Sequence, residues 1–280
     1  MNLPFSPLKK ECLHLEKEMT VKTNITKVED GVFRREEDLV IKEDPLTIYW
    51  NGREMVTLLC TLEKADYLAV GFLKAEGLLD KKEDIKSVRL EEDRGIVYVE
   101  TYNENPLGAK FFGKRTITSG CGKGTIFFNV MDSLTVKPVT GSLQVTPAQV
   151  RNLMHSFQRM SYLYKETGGG HSCGLATPGE ILLFSEDIGR HNALDKVIGQ
   201  AIWQEMPTKD KILLSSGRLS SEIMIKTAKA EFSTLISRSA PTSLSVELAQ
   251  KLGITLIGFA RGRRLNIYAS PERVKSKPPV

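Results

Sequence analysis

Residues 180–203 read EILLFSEDIGRHNALDKVIGQAIW, and this stretch decides the fold class. A strand-like apolar run over 180–185 passes through a polar turn, Glu186 to Gly189, into a helix-length segment over 189–203. In that segment Ala193, Leu194, Val197, Ile198, Ala201 and Ile202 share one side at helical spacing. The alternation repeats downstream, with strand 211–215 before helix 220–231 and strand 233–237 before helix 243–252, which Gly253 stops. Strands 254–259 and 264–268 close the pattern. Strands alternating with helices predict parallel βαβ units in a three-layer α/β domain. Upstream, Thr146-Pro147 is a helix start with proline in the first turn, and the helix is expected to run to about Tyr164, followed by Thr167-Gly168-Gly169-Gly170-His171. The α/β domain is thus expected over 146–280.

The amino-terminal half has a different rhythm. Strand-like runs at 39–41, 46–50 and 55–60 surround Asn51-Gly52, a strong hairpin signal. Lys64 to Gly77 predicts a helix with Leu68, Phe72 and Ala75 on one stripe, and 85–90 and 95–102 predict two more strands. These elements form a smaller α+β domain over 21–129, preceded by a loosely held arm at 1–20. It ends in the loop Ile117-Thr118-Ser119-Gly120-Cys121-Gly122-Lys123-Gly124-Thr125, and 130–145 reads as a linker.

Composition narrows the function classes. The chain has 280 residues, 41% hydrophobic and 26% charged, which is ordinary for a globular protein. Apolar runs such as Tyr67–Leu73 fall far below the roughly 18 residues needed to span a membrane. Met1 to Lys10 has no apolar signal-peptide core and holds two prolines. The expectation is a cytoplasmic protein without a membrane partner. Net charge is +5, yet residues 207–280 hold 13 Lys and Arg against 5 Asp and Glu. A basic carboxy-terminal third implies an anionic partner. No basic run is interleaved with aromatic residues, so a phosphate-bearing ligand is expected rather than nucleic acid.

Ligands of open α/β sheets bind beyond the carboxyl ends of the strands. The loops there are Glu186–Asn192, Ser215-Ser216-Gly217-Arg218, Arg238–Thr242 and Phe259-Ala260-Arg261-Gly262-Arg263-Arg264. All four carry arginine, whose fork binds phosphate oxygens in pairs, and three carry glycine, which lets backbone N–H groups approach an anion. Ser216, Gly217, Arg218 and the run Phe259 to Arg264 are therefore candidate anion-binding residues. Taken one loop at a time, Ser216 and Thr242 also read as helix caps and the arginines as solvated side chains.

Cysteines stand at 12, 60, 121 and 173, with no C-x-x-C pair, which excludes a zinc ribbon or thioredoxin-type motif. Cys60 reads as core, Cys12 as incidental and Cys173 as undecided. Cys121, between two glycines and two residues before Lys123, suits an accessible thiolate. On the residues alone, a reactive and an inert thiol both remain open. A zinc deaminase needs H-x-E and P-C-x-x-C, whereas His171 precedes Ser172-Cys173, so no metal site is expected.

Thr167-Gly168-Gly169-Gly170-His171, the run SEDIGRHNALDKVIG at 185–199, Ser215-Ser216-Gly217-Arg218, Ser239-Ala240-Pro241-Thr242 and Gly258-Phe259-Ala260-Arg261 together resemble the FdhD family, the formate dehydrogenase accessory sulfurtransferases. The likeness runs from Asp44-Pro45-Leu46 to Tyr268. It implies a cytidine-deaminase-like α/β domain without deaminase chemistry. It also implies that a cysteine desulfurase loads a persulfide on Cys121, and that this sulfur passes to a molybdenum (or tungsten) bis-molybdopterin guanine dinucleotide destined for formate dehydrogenase. Phe259 to Arg264 would align with the cofactor-contacting segment, and members are similar in being homodimers. The family's loop usually carries C-x-x-C; here Gly124 replaces the second cysteine, so a dithiol relay within the loop is not available. The alternatives are a cofactor-binding chaperone without sulfur chemistry and, from fold alone, a nucleotide hydrolase or deaminase.

Overall fold

The computed structural model describes residues 19–102 and 137–276; Cys12, Cys121 and Gly124 lie outside the described residues. Strands β1 (Thr20–Glu29) and β2 (Val32–Ile41) form a two-stranded antiparallel ribbon. Its turn residues Asp30 and Gly31 both take positive φ, 50° and 80°, the backbone of a tight hairpin turn. Strands β3 (Asp44–Trp50) and β4 (Arg53–Cys60) make the hairpin that Asn51-Gly52 predicts, with φ of 47° and 75° at those residues. Helix α1 (Ala65–Glu76) ends at Gly77 in the left-handed conformation. Strands β5 (Ile85–Glu91) and β6 (Ile96–Thr101) complete a four-stranded sheet ordered β4-β3-β6-β5. Leu46, Ile48, Val97 and Val99 on the sheet bury against Leu68, Val70 and Leu73 of α1.

The remainder is a mixed six-stranded sheet ordered β12-β11-β10-β9-β7-β8 with helices on both faces. The strands are β7 (His171–Ala176), β8 (Ile181–Asp187), β9 (Ile212–Ser215), β10 (Thr234–Ser237), β11 (Thr255–Arg261) and β12 (Arg264–Ala269). The helices are α2 (Pro147–Met160), α3 (Tyr162–Thr167), α4 (Arg190–Trp203), α5 (Ser221–Lys229) and α6 (Ser243–Leu252). Leu175, Leu213, Leu235 and Leu256 face α4, α5 and α6, where Val197, Ile223 and Leu248 meet them. Ala176, Leu214, Ile236 and Ile257 point the other way, onto Val150, Met154 and Phe157 of α2. Each fully buried side chain of this size contributes about 1.5–3 kcal/mol relative to leaving it in water.

The expected βαβ units are parallel, since β8, β9, β10 and β11 share a direction, but the two strands outside them are not: β7 runs antiparallel to both β8 and β9, and β12 antiparallel to β11. The links explain this, because only a crossover can join parallel neighbours. Between β7 and β8 there is instead a short turn in which Thr177 Oγ1 accepts from Gly179 N and Glu180 N. The expected single helix over 146–164 is two helices broken at Ser161. Thr146 caps the first, its Oγ1 accepting from Gln149 N at 3.2 Å while Gln149 Oε1 accepts from Thr146 N at 2.8 Å.

The two sheets are joined by α1 lying directly on α4. A Cβ on Gly71 would overlap the Asp195 carbonyl, and one on Gly199 would overlap the Tyr67 carbonyl, so only glycine permits this backbone approach. Beside the crossing, Lys196 is fully buried. Its Nζ pairs with Asp187 Oδ2 at 2.8 Å and donates to Thr61 O, Thr61 Oγ1 and Glu186 O at 2.9, 2.8 and 3.1 Å. Asp187 in turn accepts from Thr61 N, Gly189 N and Asn192 Nδ2. A second buried pair, Lys226 with Asp195, lies behind α4. No helix among the described residues is long and apolar enough to cross a membrane.

Candidate functional site

Because β8, β9, β10 and β11 point the same way, their carboxyl ends and the first residue of β7 meet at one edge of the sheet. A cleft of about 320 Å³ opens there, lined by Tyr164, His171, Ser216, Arg238, Phe259 and Arg261 together with Phe157, Gln158, Ser161, Gly170, Ser172, Ser239 and Ala240. Among the described residues its lining carries two arginines, several hydroxyls and no carboxylate.

His171 enters through the glycine run, where Gly168 and Gly170 take φ of 69° and 83°. A Cβ on Gly170 would press on the Leu163 side chain. The His171 Nδ1 lies 3.5 Å from Ser216 Oγ, which accepts from Ser172 N at 2.9 Å. Burial first, and then the nearby Arg190 guanidinium, hold the His171 pKa below the usual histidine value. It therefore stands as a neutral hydrogen-bonding group at neutral pH. Gly217 lies buried behind it, where a Cβ would meet the Arg190 side chain and His171 Nδ1.

Phe259 adopts a left-handed backbone, φ 50°, inside a register shift between β11 and β12. Such a conformation in a bulky residue costs on the order of 1–3 kcal/mol and marks functional sites. Its N–H donates to Ser239 O at 3.1 Å. The Arg261 and Arg264 guanidinium carbons stand 5.5 and 5.2 Å from its ring centroid. Neither arginine has a carboxylate partner among the described residues, so their forks are available to a phosphate-bearing ligand.

Tyr164 is placed by α3, whose start is fixed by the buried Glu186 carboxylate. Glu186 Oε1 accepts from Ser161 Oγ at 2.5 Å and Ser172 Oγ at 3.2 Å, and Oε2 accepts from Tyr162 N and Leu163 N at 2.9 and 3.1 Å. A carboxylate at a helix start is favoured by the exposed amide dipoles.

The structure brings Ser216, Phe259 and Arg261 together in the cleft. Ala260, Gly262 and Arg264 line an adjoining hollow of about 200 Å³ with Arg151 and His155, and Arg261 belongs to both. Arg218 and Arg263 are exposed and line neither space, and Cys121 falls outside the described residues. Thr242 caps α6, accepting from Ser245 N, but the cap of α5 is Ser220 rather than Ser216. Sequence reasoning did not single out Tyr164, Gln158 or Glu186. Cys60 and Cys173 are buried free thiols. Burial pushes both pKa values up, that of Cys173 to about 12, so neither supplies a thiolate at neutral pH. Among the described residues no three His, Cys, Asp or Glu side chains form a metal-binding group.

The FdhD/NarQ family model matches residues 41–275. The chain is 39% identical over 257 residues to the sulfur carrier protein FdhD of Bacillus subtilis, covering 92% of this chain and 98% of that one. It is 44% identical over 252 residues to the sulfur carrier protein FdhD of Listeria monocytogenes, covering 89% and 97%. The fold matches the crystal structure of a Desulfotalea psychrophila protein described as a formate dehydrogenase accessory protein, with a TM-score of 0.76, 23% identity, and coverage of 92% of this chain and all of that one. This chain belongs to the FdhD/NarQ family.

Proposed function

We propose that this protein is a sulfur carrier in formate dehydrogenase maturation, a sulfurtransferase that holds its cargo as a persulfide on Cys121. The observation that carries the reading is the cleft in which Arg238, Arg261, Ser216 and neutral His171 converge, with no carboxylate among its described lining residues, in a chain of this family. Arginine forks and hydroxyls of this kind suit the phosphates of a molybdenum (or tungsten) bis-molybdopterin guanine dinucleotide, which is the substrate to be sulfurated. The Cys121 thiolate attacks the outer sulfur of a cysteine desulfurase persulfide. The sulfur–sulfur bond on the desulfurase breaks, a new one forms on Cys121, and the desulfurase cysteine leaves as its thiolate. With Gly124 in place of a second loop cysteine, Cys121 performs this exchange alone. We further read the three-layer domain as cytidine-deaminase-like, the working form as a homodimer and its location as the cytoplasm.

Incubation with a cysteine desulfurase and cysteine, followed by intact mass measurement, is expected to show a gain of one sulfur atom that disappears in Cys121→Ala. No gain, or an equal gain in Cys121→Ala, removes the proposal. The missing second cysteine also favours a second reading, a chaperone that binds the cofactor without sulfur chemistry. In that case Cys121→Ala still supports formate dehydrogenase activity in cells, whereas Arg261→Ala and Arg238→Ala, which remove the two cleft arginines, do not.

A further inference from the structure

Ser161 and Ser172 line the cleft, although only 6% and 3% of their surface is exposed. Both meet the buried Glu186 carboxylate, whose partners among the described residues are all donors. Ser161 Oγ and Ser172 Oγ reach its Oε1 at 2.5 and 3.2 Å, and the Tyr162 and Leu163 amides reach Oε2 at 2.9 and 3.1 Å. A hydroxyl has one proton and two lone pairs, and a carboxylate can only accept. The Ser161 proton therefore goes to Glu186. The Ser172 proton goes to Glu186 or, at 3.2 Å, to Ser161 Oγ. Neither proton is left for the cleft, so these two side chains offer a ligand lone pairs. Ser216 differs: its Oγ accepts from Ser172 N, which leaves its own proton for His171 Nδ1 or for a ligand. The cleft thus has a donor pole, Arg238, Arg261 and Ser216, and an acceptor pole, Ser161 and Ser172.

We propose that Glu186 is a specificity-determining residue of the cleft: by holding the Ser161 and Ser172 protons, it makes that wall select an N–H donor on the ligand and reject an oxygen acceptor. This assignment rests on the reading of the cleft as an anion site and adds the chemistry of the ligand's other end. An oxygen turned to the acceptor pole faces lone pairs with no proton between them, and both sides lose the hydrogen bonds they had with water. Glu186→Gln inverts the pole. An amide NH2 cannot face the Tyr162 and Leu163 N–H groups, so the amide oxygen turns to them and the NH2 to the serines. Ser161 and Ser172 then accept from the amide, and their protons are released to the cleft.

Calorimetry on the full chain with inorganic pyrophosphate, guanosine diphosphate and xanthosine diphosphate tests this. The two nucleotides differ at one ring position, where guanine carries an amino group and xanthine an oxygen. Wild type is expected to bind guanosine diphosphate about tenfold more tightly than xanthosine diphosphate. Glu186→Gln is expected to bind xanthosine diphosphate about tenfold more tightly than wild type does. A merely loosened fold would weaken both nucleotides and could not produce that gain. Ser161→Ala with Ser172→Ala removes the acceptors without touching Glu186 and is expected to bring the two affinities within about threefold of each other. Equal nucleotide affinities in wild type, no gain in Glu186→Gln, or a preference that survives in the double alanine variant overturns the assignment. Pyrophosphate binding by wild type then leaves the anion reading standing, whereas a wild type that binds none of the three overturns both.

Discussion

The junction of α1 with α4 and the cleft edge use charge in opposite ways. At the junction, Lys196, Asp187, Lys226 and Asp195 are buried and bonded to one another or to the backbone. At the cleft, the Phe259 ring is the one close partner of the Arg261 guanidinium among the described residues, and Arg238 lies half-exposed along the wall. A charge whose bonding is satisfied within the protein serves the fold, and one left without an opposite charge at a concave surface is available to a ligand. A bound anion would meet the second group and never the first.

The contrast can be broken, the largest effect first. Lys196→Met leaves Asp187 buried without its counter-charge and is expected to cost about 3–5 kcal/mol in urea denaturation; an unchanged midpoint would mean that the junction charges are not structural. Gly199→Ala drives a methyl into the Tyr67 carbonyl and is expected to cost about 3 kcal/mol by the same measurement. Glu186→Gln replaces two acceptor oxygens by one and an amide, and is expected to cost about 1–3 kcal/mol. Faster exchange of the Tyr162 and Leu163 amides should accompany it.

A pH scan sharpens the comparison at a smaller scale. Burial holds the His171 and His191 pKa values below normal, and the His191 ring beside Glu222 holds that carboxyl low. Both histidines bind protons less readily folded than unfolded. Stability is therefore complete above the unfolded value of about 6.5, and it falls as pH drops through that value toward the lowered folded ones. Glu222 adds a loss in the same direction at lower pH. His171→Gln and His191→Gln should each flatten the histidine part of the curve. The smallest effect on stability belongs to Arg238→Ala and Arg261→Ala, whose urea midpoints should stay within about 0.5 kcal/mol of wild type. Their pyrophosphate affinity, read by calorimetry, should each fall about tenfold, or about 1.4 kcal/mol. Weakened stability with intact pyrophosphate binding would reverse the assignment of the cleft.

What the sequence made legible was local. The Asn51-Gly52 turn, the Gly77 and Gly253 helix stops and the Thr146 cap each follow from a few adjacent residues, and the structure has them. The four arginine-bearing loops also reach a common edge, since β8 to β11 share a direction. What stayed hidden was long-range. Nothing in His171–Ala176 alternates or is β-branched, and Gly174 suits the strand only because Leu183 O and the Phe157 ring crowd its Cβ position. The cap of α3 comes from Glu186, 23 to 25 residues away. Gly71 and Gly199 are ordinary helix residues until the two helices cross. Which arginines face the cleft depends on the turn at Phe259, not on spacing.

That turn has an evolutionary consequence. A substitution of Phe259 by glycine would relieve the left-handed backbone, yet it would remove the aromatic surface beside which Arg261 and Arg264 stand. Selection for a hardier protein and selection for a working one therefore pull on the same position in opposite directions. A thermophilic relative should gain its extra stability elsewhere and leave an aromatic residue there.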